Sequence, residues 1–164
     1  MRSWRNAPDV RRNMYTQHEI SEQEHIAWWD RTRYRVDQQY WMYERTGEPA
    51  GIIAFTSIDH TNRNCSWAFY AAPQALRGTG SRMEYLALDH AFTSLGVHKL
   101  YCEVLSHNVP VIGLHQKFGF HVEGILREQY RIRGSFVDSH RLGLLSSEWT
   151  ANRKELFDRV FRMK

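Results

Sequence analysis

Apolar and polar positions change their period midway along the chain. Gln39 to Glu44, Gly51 to Ile58 and Cys65 to Ala71 read as strands, the second of them rich in β-branched and aromatic residues. Two polar stretches separate them, Arg45 to Pro49 and Asp59 to Asn64, and both carry turn-forming residues. Three strands joined by two short turns predict an antiparallel meander. Ahead of them, Ser21 to Arg33 predicts a helix. Ser21 stands three residues before Glu24, the spacing of a capping box, and Ile26 and Trp29 share one face with His25 near its edge. Trp28 and Trp29 are expected to pack in the core. Residues 1–20 are polar and rich in arginine.

From Ser81 to Leu95 the spacing becomes helical, with Tyr85, Leu88, Phe92 and Leu95 recurring on one face and Gly96 as a stop. His98 to Leu105 returns to a strand pattern. Val109 to Phe118 predicts a short helix, with Pro110 tolerated in its first turn and Gly119 ending it. Phe120 to Ile132 and Phe136 to Leu145 predict two long strands joined near Gly134, and Glu148 to Arg162 a closing helix. A meander followed by βαβα-ββ indicates the α+β class: a mixed central sheet flanked by helices. The 164 residues suit a single domain spanning 1–164.

The net charge of +4 comes mostly from dispersed arginines, which favours a small anionic ligand over a nucleic-acid groove. No apolar run is long enough to span a bilayer, so no membrane partner is expected. Two cysteines, Cys65 and Cys102, are too few for a disulfide framework and point to a reducing, cytoplasmic setting. The histidines form no His-x-x-x-His pair and no Cys-x-x-Cys accompanies them, so no metal site is expected. Aromatic residues make up 13% of the chain, enough to fill a core or to line a pocket for a sugar or base.

The sharpest chemical signal is Arg77-Gly78-Thr79-Gly80-Ser81, between a strand and a helix. Two glycines there let several backbone N–H groups face one point, and the helix start adds unpaired N–H groups and the positive dipole end. Such a junction suits a pyrophosphate. Asn108 and His115 lie seven residues apart, nearly two helical turns, and so share a face. Glu103 falls on one side of its strand with Tyr101 and Leu105; it can accept a proton, directly or through water, or serve as an ion-pair partner.

The stretch Pro73 to Leu95, followed by Asn108 and then Leu114-His115-Gln116-Lys117-Phe118-Gly119-Phe120, resembles the coenzyme A-binding elements of the GCN5-related N-acetyltransferases (GNAT). That family carries Leu-Tyr-x-Lys-x-Gly-Phe at the second element, so His115 replaces a tyrosine. Ala75 stands where the family usually has Gln or Arg. Further features are similar to one branch, the UDP-amino-sugar N-acetyltransferases of pseudaminic acid biosynthesis: Arg5-Asn6, His25, Gly124-Ile125-Leu126-Arg127-Glu128, Asp138 and Glu148-Trp149. Ribosomal-protein N-terminal acetyltransferases share part of that set and supply the alternative acceptor, a peptide amine. A third possibility is a domain that binds acetyl-CoA without turnover.

The resemblance implies direct acetyl transfer from acetyl-CoA to the 4-amino group of a UDP-linked 4-amino-4,6-dideoxy sugar, by a monomer or homodimer. It implies coenzyme contacts from Ala68, Tyr70 and Ala71 on the third strand, from Arg77, Gly78, Thr79, Gly80 and Ser81, and from Asn108 and Lys117. It implies His115 as proton donor to the departing thiolate and Glu103 as base. For the UDP-sugar it implies Arg5, His25, Thr56, Ser57 and Tyr70.

Overall fold

A computed structural model describes residues 1–162. Short helices α1 (Arg2–Asn6) and α2 (Pro8–Arg11) precede α3 (Glu22–Thr32). The meander is β1 (Gln39–Arg45), β2 (Glu48–Asp59) and β3 (Asn64–Ala71). Then come α4 (Thr79–Thr93), β4 (Lys99–Leu105), α5 (Val109–Lys117), β5 (His121–Ile132), β6 (Ser135–Leu145) and α6 (Ser146–Phe157), with a π-helical turn over Asp158–Arg162. One six-stranded sheet runs in the order β1-β2-β3-β4-β6-β5. Every neighbouring pair is antiparallel except β3 and β4. This is the expected mixed sheet flanked by helices.

The capping box at α3 forms as the spacing predicts. Ser21 Oγ accepts from the Glu24 N–H at 3.2 Å, and Glu24 Oε2 accepts from the Ser21 N–H at 2.9 Å. The first turn is tighter than expected. Thr46 and Gly47 both take positive φ, so two residues suffice for the hairpin and Glu48 and Pro49 join the strand. Trp28 and Trp29 are not core residues: Trp28 faces a cavity and Trp29 is exposed. The core lies instead between the sheet and α4, α5 and α6. Phe55, Trp67, Met83, Leu88, Leu100, Leu142, Leu144 and Trp149 are each at most 2% exposed there. Tyr85 packs on Trp149 with ring centroids 5.2 Å apart.

Candidate active site

β3 and β4 pair over only three residues, Asn64 to Ser66 against Lys99 to Tyr101. Beyond that the two strands part, because β3 stays with β2 as far as Ala71 while β4 stays with β6 as far as Leu105. The opening is a slot of about 370 Å³ walled by Trp67–Pro73 and Cys102–Leu105, with Asn108, Val111 and His115 beside it. One edge of Trp67–Ala71 therefore has no strand partner. An extended chain bearing amides can add to such an edge as a further strand. Ala68, Tyr70 and Ala71 all line this wall. Asn108 caps α5 without spending its side chain on the helix, which leaves that amide for a ligand.

The glycine junction is built differently from the expected two-glycine turn. Gly78 alone is left-handed, with φ 84°, and α4 already starts at Thr79. Gly80 is helical, and a Cβ there would make ordinary contacts with Leu114 and Phe69, so the turn itself depends on Gly78. Gly80 and Ser81 thus present first-turn N–H groups, while the Thr79 N–H donates to the Leu76 carbonyl at 3.1 Å, and no acidic residue stands in that turn. Beside it lies a depression of about 350 Å³ lined by Arg45, Arg77, Arg82, Lys117 and Arg159, with no carboxylate among its lining residues. Arg45 Nη1 donates to the Arg77 carbonyl at 3.1 Å and to Thr79 Oγ1 at 3.3 Å. Arginine clusters with helix N–H groups suit the phosphates of a coenzyme. Arg45, Arg82 and Arg159 carried no local signal in the sequence; the fold brings them together from β1, α4 and the C-terminal turn.

A second cavity, of about 540 Å³, lies between α1, the segment Met14–Ile20, α3 and the sheet. Arg5, His25 and Tyr70 line it, with Trp28, Tyr40 and Arg31. Ala68, Phe69 and Tyr70 line both this cavity and the slot, so β3 is their common wall. Arg5 Nη1 is buried and meets no hydrogen-bond acceptor in the protein. Burial lowers the Arg5 pKa, partly offset by Tyr70, and burial raises Tyr70 to about 12. Burial and the nearby Arg2 lower the pKa of His25, which stacks on Trp28 at 5.3 Å. The one acidic side chain lining this cavity, Glu24, has both oxygens engaged, one by the Ser21 N–H and the other by His18 at 2.8 Å. Thr56 and Ser57 line neither cavity. They sit at the closed end of the splay, where the register of β2 and β3 shifts and Ser57 turns left-handed, with φ 51°.

His115 is buried at the slot, and its Nδ1 lies 2.8 Å from Glu84 Oε1. Burial opposes its charge, but the nearby Cys102 and the hydrogen bond to Glu84 outweigh it and raise the pKa to about 10. Glu84 appears in no sequence motif. Glu103 also lines the slot, with its Oε1 2.8 Å from Arg141 Nη1 and its Oε2 accepting from the Tyr130 hydroxyl at 3.4 Å. Both of its oxygens are engaged, which is the ion-pair geometry. Among the described residues, no three His, Cys, Asp or Glu side chains gather as a metal-ligand set, and no helix is long and apolar enough to cross a membrane.

A sheet splayed between its two parallel strands, beside a glycine-headed helix, defines a coenzyme A-dependent acyltransferase site, and residues 1–121 match the model of the Acetyltransferase (GNAT) domain family. The chain belongs to that family and is an acetyl-CoA-dependent N-acetyltransferase. The spermidine N(1)-acetyltransferase of Escherichia coli K12 is 28% identical over 127 residues, covering 77% of this chain and 68% of that protein. The Vibrio cholerae spermidine N(1)-acetyltransferase is 31% identical over 106 residues, covering 64% of this chain and 61% of the relative. A crystal structure of the Vibrio cholerae spermidine N-acetyltransferase with CoA and spermine superposes with a TM-score of 0.84 at 22% identity, covering 91% of this chain and 89% of that one. These relatives meet the family expectation. They give no support to the nucleotide-sugar branch, since the characterised relatives are spermidine N-acetyltransferases.

Proposed function

We propose that the acceptor amine is carried on an anionic, ring-bearing molecule, of which a UDP-linked 4-amino-4,6-dideoxy sugar is the first candidate. The observation that carries this reading is the half-buried Arg5, whose Nη1 is buried without a hydrogen-bond partner beside the larger cavity. A guanidinium held there without a carboxylate is completed by a ligand phosphate or carboxylate. Trp28, Tyr40 and Tyr70 offer flat faces for a base or sugar. The shared wall, Ala68 to Tyr70, lets an amine in this cavity meet a thioester lying along the slot.

In this reading the first turn of α4, Arg77 and Lys117 hold the pyrophosphate, and Asn108 with the free edge of β3 holds the pantetheine arm. The amine nitrogen attacks the thioester carbonyl carbon, the C–S bond breaks with its electron pair on sulfur, and His115 protonates that sulfur. The amine sheds its own proton to water, so no residue need be acylated. Arg141 holds Glu103 in shape, which makes Glu103 a wall of the slot before it is a base.

The relatives favour a second reading, a polyamine acceptor. The cavity argues against it: a polycation needs free carboxylates, and here Arg5 and Arg31 face a single engaged Glu24. Thiol release from acetyl-CoA, measured with the UDP-amino sugar, spermidine and an N-terminal peptide in parallel, decides the matter. Turnover with the sugar at micromolar KM is expected. Preference for spermidine overturns the anionic-acceptor reading and leaves the coenzyme site intact.

A further inference from the structure

No charged side chain among the described residues is more deeply buried than Glu84, which is 0% exposed. Burying a carboxylate is unfavourable unless it is paired. An apolar residue on the inner face of α4 would fill the same space without that penalty. Its one protein partner is His115 Nδ1 at 2.8 Å, and its second oxygen, Oε2, has none. The pair is therefore built for the imidazole. Three aromatic rings fix that imidazole from other sides: Trp67 and Phe69 meet it edge-on with centroids at 5.3 and 6.0 Å, and Phe120 lies at 5.2 Å. With Nδ1 tied to α4, the ring nitrogen left for the slot is Nε2. The other titratable group facing the ring is Cys102 on β4, which lines the slot beside it.

We propose that Glu84 is a positioning residue: it locks the His115 ring through Nδ1 and keeps a proton on it, so that Nε2–H faces the coenzyme slot and protonates the departing thiolate. This rests on the reading of His115 as the proton donor. The carboxylate and imidazole share one proton and carry no net charge together, so the dyad can be buried where a lone imidazolium could not. When the C–S bond breaks, the Nε2 proton passes to sulfur and gives free coenzyme A thiol. The dyad is left with a neutral imidazole beside the Glu84 carboxylate, and water reloads it after product leaves. A neutral tyrosine hydroxyl at this position would need no such partner, whereas a buried imidazolium does.

The test is the pH profile of kcat for wild type and Glu84→Gln, with acetyl-CoA and whichever acceptor turns over. Glutamine keeps the hydrogen bond to Nδ1 and removes the charge. The alkaline limb should move down by at least about one pH unit, the least that an opposite charge at this distance supplies. Above that limb kcat falls about tenfold or more, while the KM for acetyl-CoA stays within about twofold. In a His115→Gln background, Glu84→Gln should change neither the residual rate nor its profile. An unmoved limb in the single variant, or a further loss in the His115→Gln background, overturns the role of Glu84. Wild-type kcat in His115→Gln alone overturns the underlying reading of His115 instead. If Glu84→Gln does not fold, nitrogen-15 NMR of the wild-type histidines decides: both His115 ring nitrogens protonated at pH 8 supports the dyad, and a neutral ring at pH 8 overturns it.

Discussion

Arg5→Met separates function from stability with opposite signs. In the free protein Arg5 Nη1 is buried without an acceptor, at the last turn of α1 and facing the larger cavity. An unpaired buried donor costs about 1–3 kcal/mol, against which a cation at a helix C-terminus returns about 0.3–1 kcal/mol. Methionine keeps much of the apolar stem and removes the orphaned donor. The variant should therefore be more stable by about 1 kcal/mol, a rise in Tm of about 2–4 °C for a chain of this size. An anionic acceptor loses a charged hydrogen bond worth about 1.5–3 kcal/mol, so its kcat/KM should fall about 10- to 150-fold with the KM for acetyl-CoA unchanged. Spermidine, if it is used at all, should respond in the other direction, because a repelling cation has gone. Differential scanning calorimetry and steady-state kinetics read the two effects. A variant that melts lower and binds the acceptor as before would show that Arg5 supports α1 and nothing more.

Gly78→Ala should weaken acetyl-CoA and spare the acceptor. An added Cβ has nothing within 4 Å, so the effect is confined to the left-handed backbone, with strain of about 1–2 kcal/mol read as a raised KM for acetyl-CoA. Ser21→Ala removes the cap of α3 and should lower stability in urea by about 1 kcal/mol, with the acceptor KM rising because α3 walls that cavity. Stability should also fall as pH rises from neutrality. His115 has its pKa raised from 6.5 to about 10, so the folded state holds the extra proton; that contribution is complete below about 6.5 and is lost as pH approaches 10. Thermal melts from pH 7 to pH 10 should show a steeper decline for wild type than for His115→Gln, and equal slopes would refute the buried dyad.

The parts of this fold that sequence reading reached are those whose causes are local. The α3 cap needs only Ser21 and Glu24, and each strand of the meander carries its own aromatic residues, with β-branched ones added in β2. The glycine junction is readable as an anion site, though the sequence does not tell that Gly78 alone takes the left-handed turn while Gly80 lies inside α4. The splay is not legible in either strand alone, since nothing in β3 or β4 says that their pairing stops after three residues. α1 and α2 were not expected, because Asn6 is tied to Ile20 rather than to its own neighbours: Asn6 Nδ2 donates to the Ile20 carbonyl at 2.9 Å, and Asn6 Oδ1 accepts from the Ile20 N–H at 2.9 Å. Glu84 was missed for the same kind of reason. On a helix its period is that of any inward position, and only the approach of His115, 31 residues later, reveals what it is for.

That distribution bears on how the reaction is organised. Chemistry that needs a protein nucleophile concentrates in a local motif, where one reactive side chain must be held against its activator. Cys65 does not supply one: it is fully buried, and burial pushes its thiol up to about 12, far from a reactive thiolate. What the fold provides is two cavities that share Ala68–Tyr70, one walled by cations and aromatics, the other by the free edge of a strand. Placing two reactants on either side of one strand contributes orientation, and orientation alone is worth about 7–11 kcal/mol of a bimolecular barrier. The remaining demand is a proton for the leaving sulfur, the role proposed for the buried His115 and Glu84. On the proposed reading acceptor choice lies in the second cavity, so exchanging Arg5 should leave the coenzyme slot undisturbed and make selection among amines separable from the transfer itself.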